Sequence, residues 1–307
     1  MKRTLAILPL MFVMVLAVNA QQRPIQSLYM FDPLLVNPAY AGTQVQLSAT
    51  AIYRNQWVNL EGAPKTFTAT IHSGFKKTKM GLGVIMGNDQ IGIHNDFSFY
   101  GVYSYKIQVT QKGTLSMGIQ GGFNNIRSDY TKLNLKNLND PNLSGQLTKM
   151  NPNVGAGVFY YQKDLYLGFS VPQIINNSVF DVEGNGSLSK QLRYYYISGG
   201  FTKSLTHNLK VLPSTLIRIQ EEAPVSFDIN TTFVLYDVVG LGVSYRLNEG
   251  MVGLFELQIN ENFHVGYAYD FTTSALNQFS NGSHEIMVNY RLKIQRWHQG
   301  LPCPSYW

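Results

Sequence analysis

Between about residue 43 and residue 293 the chain alternates apolar and polar or small residues with period two, again and again, in stretches of about ten. Successive side chains on an extended strand point to opposite faces, so such a stretch can only be a strand with one greasy face and one polar face. The clearest case runs from Phe263 to Phe271. Phe263, Val265, Tyr267, Tyr269 and Phe271 share one face, and His264, Gly266, Ala268 and Asp270 share the other. Ile286, Val288, Tyr290 and Leu292 oppose Glu285, Met287, Asn289 and Arg291 in the same way, and Val239, Leu241, Val243 and Tyr245 oppose Gly240, Gly242, Ser244 and Arg246. A core strand of a soluble protein and a lipid-facing strand of a barrel both show this pattern. What separates them lies in the connections and at the amino end.

The pattern predicts fourteen strands, near 43–54, 65–74, 80–88, 95–107, 113–124, 153–162, 164–172, 192–203, 207–219, 224–236, 238–248, 250–259, 261–271 and 283–293. Most have about the length a tilted strand needs to cross a bilayer, roughly 9–11 residues. Pro213 inside one of them marks a bulge or a misplaced boundary, and the alternation at 192–203 is the weakest. The connections sort by parity. Those near 75–79, 108–112, 163, 204–206, 237 and 260 are brief, whereas the long ones, near 55–64, 125–152, 173–191 and 272–282, all fall on the other side. Short turns at one end and long loops at the other, with an even strand count, are the habit of outer-membrane barrels. A soluble β-sandwich pair or a β-solenoid has no reason to sort its loops this way, and no fixed-period repeat marks a solenoid or propeller.

The amino end agrees. Lys2 and Arg3 precede an almost continuously apolar run from Leu5 to Val18, and Val18-Asn19-Ala20 offers a cleavage site before Gln21. That is the layout of a secretory signal peptide, and the run is too short to span a bilayer as a helix. The expected organisation is therefore a signal peptide at 1–20, an N-terminal segment at 21–42, a barrel at 43–294 and a Pro-rich tail at 295–307 holding Trp297, Cys303 and Trp307. The segment at 21–42 is rich in proline, aromatic and aliphatic residues without periodicity. It is expected to act as a short plug in the lumen, held by residues such as Leu34, Leu35 and Tyr40, or to pack at the periplasmic mouth. Charged residues make up 14% of the chain, against roughly 25% in soluble domains. With one cysteine no internal disulfide can form, so closure of the sheet and packing must hold the fold.

The same residues argue against several functions. The net charge of +6 comes without a clustered basic module, and nucleic acid is not an expected partner. The six histidines show no metal-ligand spacing, and His298 with Cys303 makes only two ligands. No phosphate-binding or nucleophile-elbow motif is present. Asp228, Ser244, His264 and Asp270 are expected on inward faces, but the pattern gives no reason for them to converge. The chain is expected to be no enzyme and to carry no catalytic residue, cofactor or metal. Paired glycines on one face, as in Gly81-Leu82-Gly83 and Gly155-Ala156-Gly157, suit barrel curvature or leave room inside for a segment or a threaded peptide.

The run from Gln21 to Thr43, "QQRPIQSLYMFDPLLVNPAYAGT", resembles the mature N-terminus of the PorP/SprF family, with Asn37-Pro38-Ala39-Tyr40-Ala41-Gly42 its most specific element. "YRNQWVNLEGAPKTFTATIHS", from Tyr53 to Ser73, and "GNDQIGI", from Gly87 to Ile93, are further points of similarity. The resemblance implies an outer-membrane protein associated with type IX secretion and gliding motility in Bacteroidota. It implies a function by partnership: supporting export or surface retention of a secreted, adhesin-like protein that carries a type IX C-terminal domain, alongside other components of the secretion and gliding machinery, with outer-membrane lipid around the barrel. The alternative is a passive porin-like solute channel. For a docking surface the expectation falls on the long outer loops at 125–152 and 173–191. The named candidates are Arg127, Lys132 and Lys136 in the first of these, and Arg54 and Trp57 at the first outward loop.

Overall fold

The computed structural model describes residues 25–292 except 45, 76–77, 133–144, 183–185, 222, 248 and 273–279. The expected signal peptide, the tail with Trp297, His298 and Cys303, and Lys136 lie outside the described residues.

Among the described residues seventeen strands follow one another: β1 (Leu47–Asn55), β2 (Lys65–Phe75), β3 (Met80–Ile91), β4 (His94–Gln108), β5 (Thr114–Asp129), β6 (Gln146–Gln162), β7 (Leu165–Val171), β8 (Asn177–Val182), β9 (Gly186–Gln191), β10 (Tyr194–Phe201), β11 (Lys203–Thr206), β12 (Leu209–Gln220), β13 (Ser226–Leu235), β14 (Val239–Arg246), β15 (Gly250–Gln258), β16 (Phe263–Thr272) and β17 (Ser283–Leu292). β8 and β9 form a separate hairpin. The rest pair antiparallel with their neighbours. β1 closes on β17 with Leu47 opposite Leu292 and Arg54 opposite Glu285, and β10 bridges β7 and β12.

β10 and β11 are two pieces of one strand. β10 pairs Gly200 with Ser214, and β11 resumes the same register with Lys203 opposite Val211. Pro213 therefore stands opposite Phe201 at the break, where it has no N–H to give the ladder. Counted so, the closed barrel has fourteen antiparallel strands among the described residues. The weak alternation at 192–203 hides a real strand because its inward positions, Tyr194 and Tyr196, are as apolar as its outward ones.

The alternation sorts as expected. Outward residues such as Ile229, Leu241, Val243 and Phe271 are about half exposed, whereas inward neighbours such as Asp228, Asn230, Ser244 and Glu285 are buried. A surface with this apolar exposure would aggregate in water and is at home in lipid. The connections after β2, β4, β6, β11, β13 and β15 are short and share one end. At the opposite end the strands run unequally. β5 has 16 residues and β6 has 17, well beyond the roughly 9–11 needed to cross, while β7 has only 7. Both long strands project past the barrel wall at the long-loop end. The stretch 146–152, expected as loop, is strand, and the loop expected at 173–191 contains the β8–β9 hairpin.

Candidate functional site

The lumen holds the chain's own N-terminal segment. Residues 25–43 pass from the long-loop half of the barrel to the short-turn mouth in two one-turn 3-10 segments, Pro33–Leu35 and Pro38–Tyr40. Each has proline in its first turn, where a missing N–H costs nothing. Leu28, Leu34, Ala39 and Ala41 are fully buried, and Tyr29, Met30, Val36 and Tyr40 nearly so. On one wall Leu28 to Phe31 and Val36 form a single cluster with Ile52, Leu212, Leu216, Val234, Val252, Leu254, Ala268 and Met287. On the other, Leu34, Ala39, Tyr40 and Ala41 join Val102, Phe159 and Tyr161. At about 1.5–3 kcal/mol for each large apolar side chain taken out of water, this packing is the main force that seats the segment.

The lower half explains its sequence residue by residue. Asn37 accepts from its own Ala39 N–H at 2.9 Å and donates to the carbonyls of Val158 (3.0 Å) and Phe169 (3.4 Å), tying the segment to β6 and β7. Pro38 and Ala39 lie against Gly118, where a Cβ would come within 2.3 Å of the Ala39 nitrogen. Tyr40 meets Phe159 and His72 edge-on, both at 5.5 Å. The Ala41 carbonyl accepts from Ser104 at 2.6 Å. Gly42 turns the chain out at φ +65°, pressed against the backbones of Gly74 and Gly81; only glycine fits both the angle and the space. The inward glycines are thus a seat for this segment as well as sites of curvature.

The upper half is held by charge. Arg54 of β1 donates to Glu285 on the neighbouring β17 at 2.8 Å, beyond it to Asp270 of β16, and also to the Ser27 hydroxyl at 2.9 Å. Glu285 in turn accepts the backbone N–H groups of Ser27 and Leu28, both at 2.8 Å, and Ser27 donates to Asp270 at 2.8 Å. Farther round, Asp228 pairs with Arg246 at 3.1 Å, which also holds Glu249 at 3.1 Å. Asn230 bonds the Tyr29 hydroxyl at 2.7 Å. Midway, Asp32 accepts from Thr70. Burial pushes its carboxyl above the usual carboxylate range, with hydrogen bonds from Thr70 and Thr50 pulling the other way.

Above this plug a second piece of chain folds inward. The carbonyls of Pro172 and Ile175 accept from the inward amides of Gln120 and Asn153, both at 2.9 Å. Gln173 donates to Tyr100 at 3.2 Å and accepts from Gln191 at 2.8 Å. The outer mouth is also knitted at its rim: Val58 N–H donates to the Gly282 carbonyl at 2.9 Å and Asn281 N–H to the Val58 carbonyl at 3.0 Å, joining the first and last long connections.

The candidate residues fall into three groups. Arg54, expected at the first outward loop, is a correction: it sits on the inward face of β1, 4% exposed, because its position in the alternation is inward and two buried carboxylates await it. It holds the plug and offers nothing to the surface. Trp57 lies in the β1–β2 connection at φ +48°, its backbone N–H donating to the Ser283 hydroxyl at 3.2 Å. Arg127 and Lys132 are exposed at the long-loop end, Arg127 bonded to Gln146 at 2.7 Å and Lys132 3.6 Å from Asp129. Lys136 is outside the described residues. The inward Asp228 and Asp270 are each engaged by an arginine rather than by His264 or Ser244. The carboxylate latch on Ser27 and Leu28 was not foreseen. Its signal was there in the inward charges of Arg54, Asp270 and Glu285 near the same end of adjacent strands.

Among proteins of known family, a model described as the type IX secretion system membrane protein PorP/SprF matches residues 18–290. No curated protein matches the chain. Among solved structures, the CymD monoaromatic hydrocarbon channel aligns with TM-score 0.50 at 11% identity over 89% of this chain and 94% of that one. The NanC porin aligns with TM-score 0.44 at 11% identity over 81% of this chain and 100% of that one. The outer-membrane protein Omp33 of Acinetobacter baumannii aligns with TM-score 0.46 at 8% identity over 81% and 99%. At such identities the likeness to CymD is one of fold alone.

Proposed function

The chain belongs to the PorP/SprF family of type IX secretion system membrane proteins, and from that premise we propose that it supports the export or surface retention of a secreted partner by binding it at the long-loop mouth, without catalysis. The observation that carries this reading is the packed lumen. A segment buries its apolar side chains on both walls and closes a charged latch around Ser27, so it occupies the lumen at its level. Such a filling stands in the way of free diffusion of solutes, whereas a rigid cylinder with ordered excursions at one mouth is a good platform for recognition. The partner in this reading is an adhesin-like protein with a type IX C-terminal domain, and the barrel is exported to the outer membrane by way of a cleavable signal peptide at 1–20.

The test is to delete the gene and compare secreted and surface proteomes with those of the parent. Loss of one or a few large proteins from the surface supports the reading. An unchanged surface together with reduced uptake of small solutes would replace it with a channel.

A further inference from the structure

The two long strands leave an edge. β7 pairs with β6 only from Ala156 to Gln162, while β5 accompanies β6 up to Gln146. Past Val154 the flank of β6 that faces away from β5 has therefore lost its barrel neighbour. Which groups point there follows from two bonds. Tyr130 N–H donates to the Gly145 carbonyl, so odd-numbered residues of this stretch face β5, and Ile174 N–H donates to the Val154 carbonyl, so even-numbered ones face away. The Pro152 carbonyl is met by the Asn177 side chain at 3.0 Å, and proline itself has no N–H to leave unmatched, as suits an edge. Beyond it, among the described residues, no hydrogen bond meets the outward N–H and C=O groups of Met150, Thr148 and Gln146. The β8–β9 hairpin approaches through Ser178, bonded to Lys149 and Asn151, yet β8 pairs only with β9.

This edge is protected only in part, by Pro152 at its foot and by Lys149, which Ser178 engages. Natural sheets blunt exposed edges with charge, proline or cover. Here Met150 is 62% exposed and Leu147 42%, and the stretch stands above the roughly ten residues that cross the lipid. We propose that residues 146–151 of β6 form a β-augmentation site that takes an extended strand of the secreted partner. The row of N–H and C=O groups complements the backbone of another extended strand. Its place above the bilayer at the long-loop mouth puts it before a protein already outside. Arg127, opposite Thr148 on the same outward face, and Lys132 at the tip of the connection favour a strand bearing acidic residues. The site deepens the partner-binding reading and rests on it.

Met150→Pro tests it, since this removes an outward N–H and leaves the β5 ladder intact. The variant is placed in the chromosome beside Met150→Ala, with barrel folding checked by heat-modifiable gel mobility and surface retention by quantitative proteomics. The proline variant is expected to fold and to lose the retained partner by about tenfold or more, as one lost backbone bond plus a steric block implies, while the alanine variant keeps it. A folded proline variant that retains the partner fully overturns the edge but leaves the partner reading standing. A parent strain that retains no more surface protein than the gene deletion overturns both. Should the proline variant fail to fold, a photo-crosslinker at Thr148 decides: adducts to a strand of the retained protein support the site, and adducts to a second copy of the barrel, or none, overturn it.

Discussion

The Arg54 guanidinium lies 2.8 Å from the Glu285 carboxylate, both side chains within 4% of full burial, on two strands that close the barrel at opposite ends of the sequence. The same carboxylate holds the backbone of Ser27 and Leu28. One contact therefore links barrel closure to seating of the plug.

Replacing Arg54 by alanine leaves Glu285 and Asp270 buried without their cation. Breaking a buried pair on one side costs about 3–5 kcal/mol. The barrel is expected to persist, being held by its ladders, while residues 25–31 gain hydrogen-exchange rates by more than a hundredfold. Arg54→Met with Glu285→Gln and Asp270→Asn is expected to recover part of the loss, because neither carboxylate is then left charged without its cation.

Gly118 and Gly121 share a strand and predict opposite outcomes. A Cβ at Gly118 meets the Ala39 backbone, whereas at Gly121 nothing lies within 4 Å. Gly118→Leu is expected to unseat the lower plug, seen as protease cleavage between residues 33 and 43. Gly121→Ala faces outward and is expected to change stability by less than about 0.5 kcal/mol.

Much of this was readable beforehand. The barrel was legible because lipid and lumen impose opposite demands on alternate residues, and the outward faces of β13 to β17 obey with few exceptions. The segment at 21–42 stood out only as a compositional break, and the place of residues 25–43 was not legible: nothing local tells that Asn37 will bridge Val158 and Phe169, more than a hundred residues away. Arg54 misled because a motif near a predicted loop reads as surface, although the alternation of β1 already pointed it inward. The overhang of β6 was missed because Gln146 to Asn151 is too polar to look like a membrane strand. Above the bilayer it has no need to be apolar.

Val243 is 56% exposed on the outward face of β14. Val243→Arg places a charge toward lipid, at a cost of about 2–4 kcal/mol near the midplane and less toward the interface. Urea unfolding from lipid vesicles checks it. No change in midpoint would mean that this face does not meet hydrocarbon.

Arg127→Glu with Lys132→Glu alters only exposed side chains. Folding is expected to stay within about 0.5 kcal/mol of the parent, while retention of an acidic partner strand falls and its salt dependence flattens. Partner retention measured over a salt series checks both.

The most direct test of a lumen filled by its own chain is electrical. The purified barrel in a planar bilayer is expected to show no steady conductance, and a variant lacking residues 25–41 to show discrete channel openings. Steady channel openings from the intact protein, unchanged by removing that segment, would contradict the account.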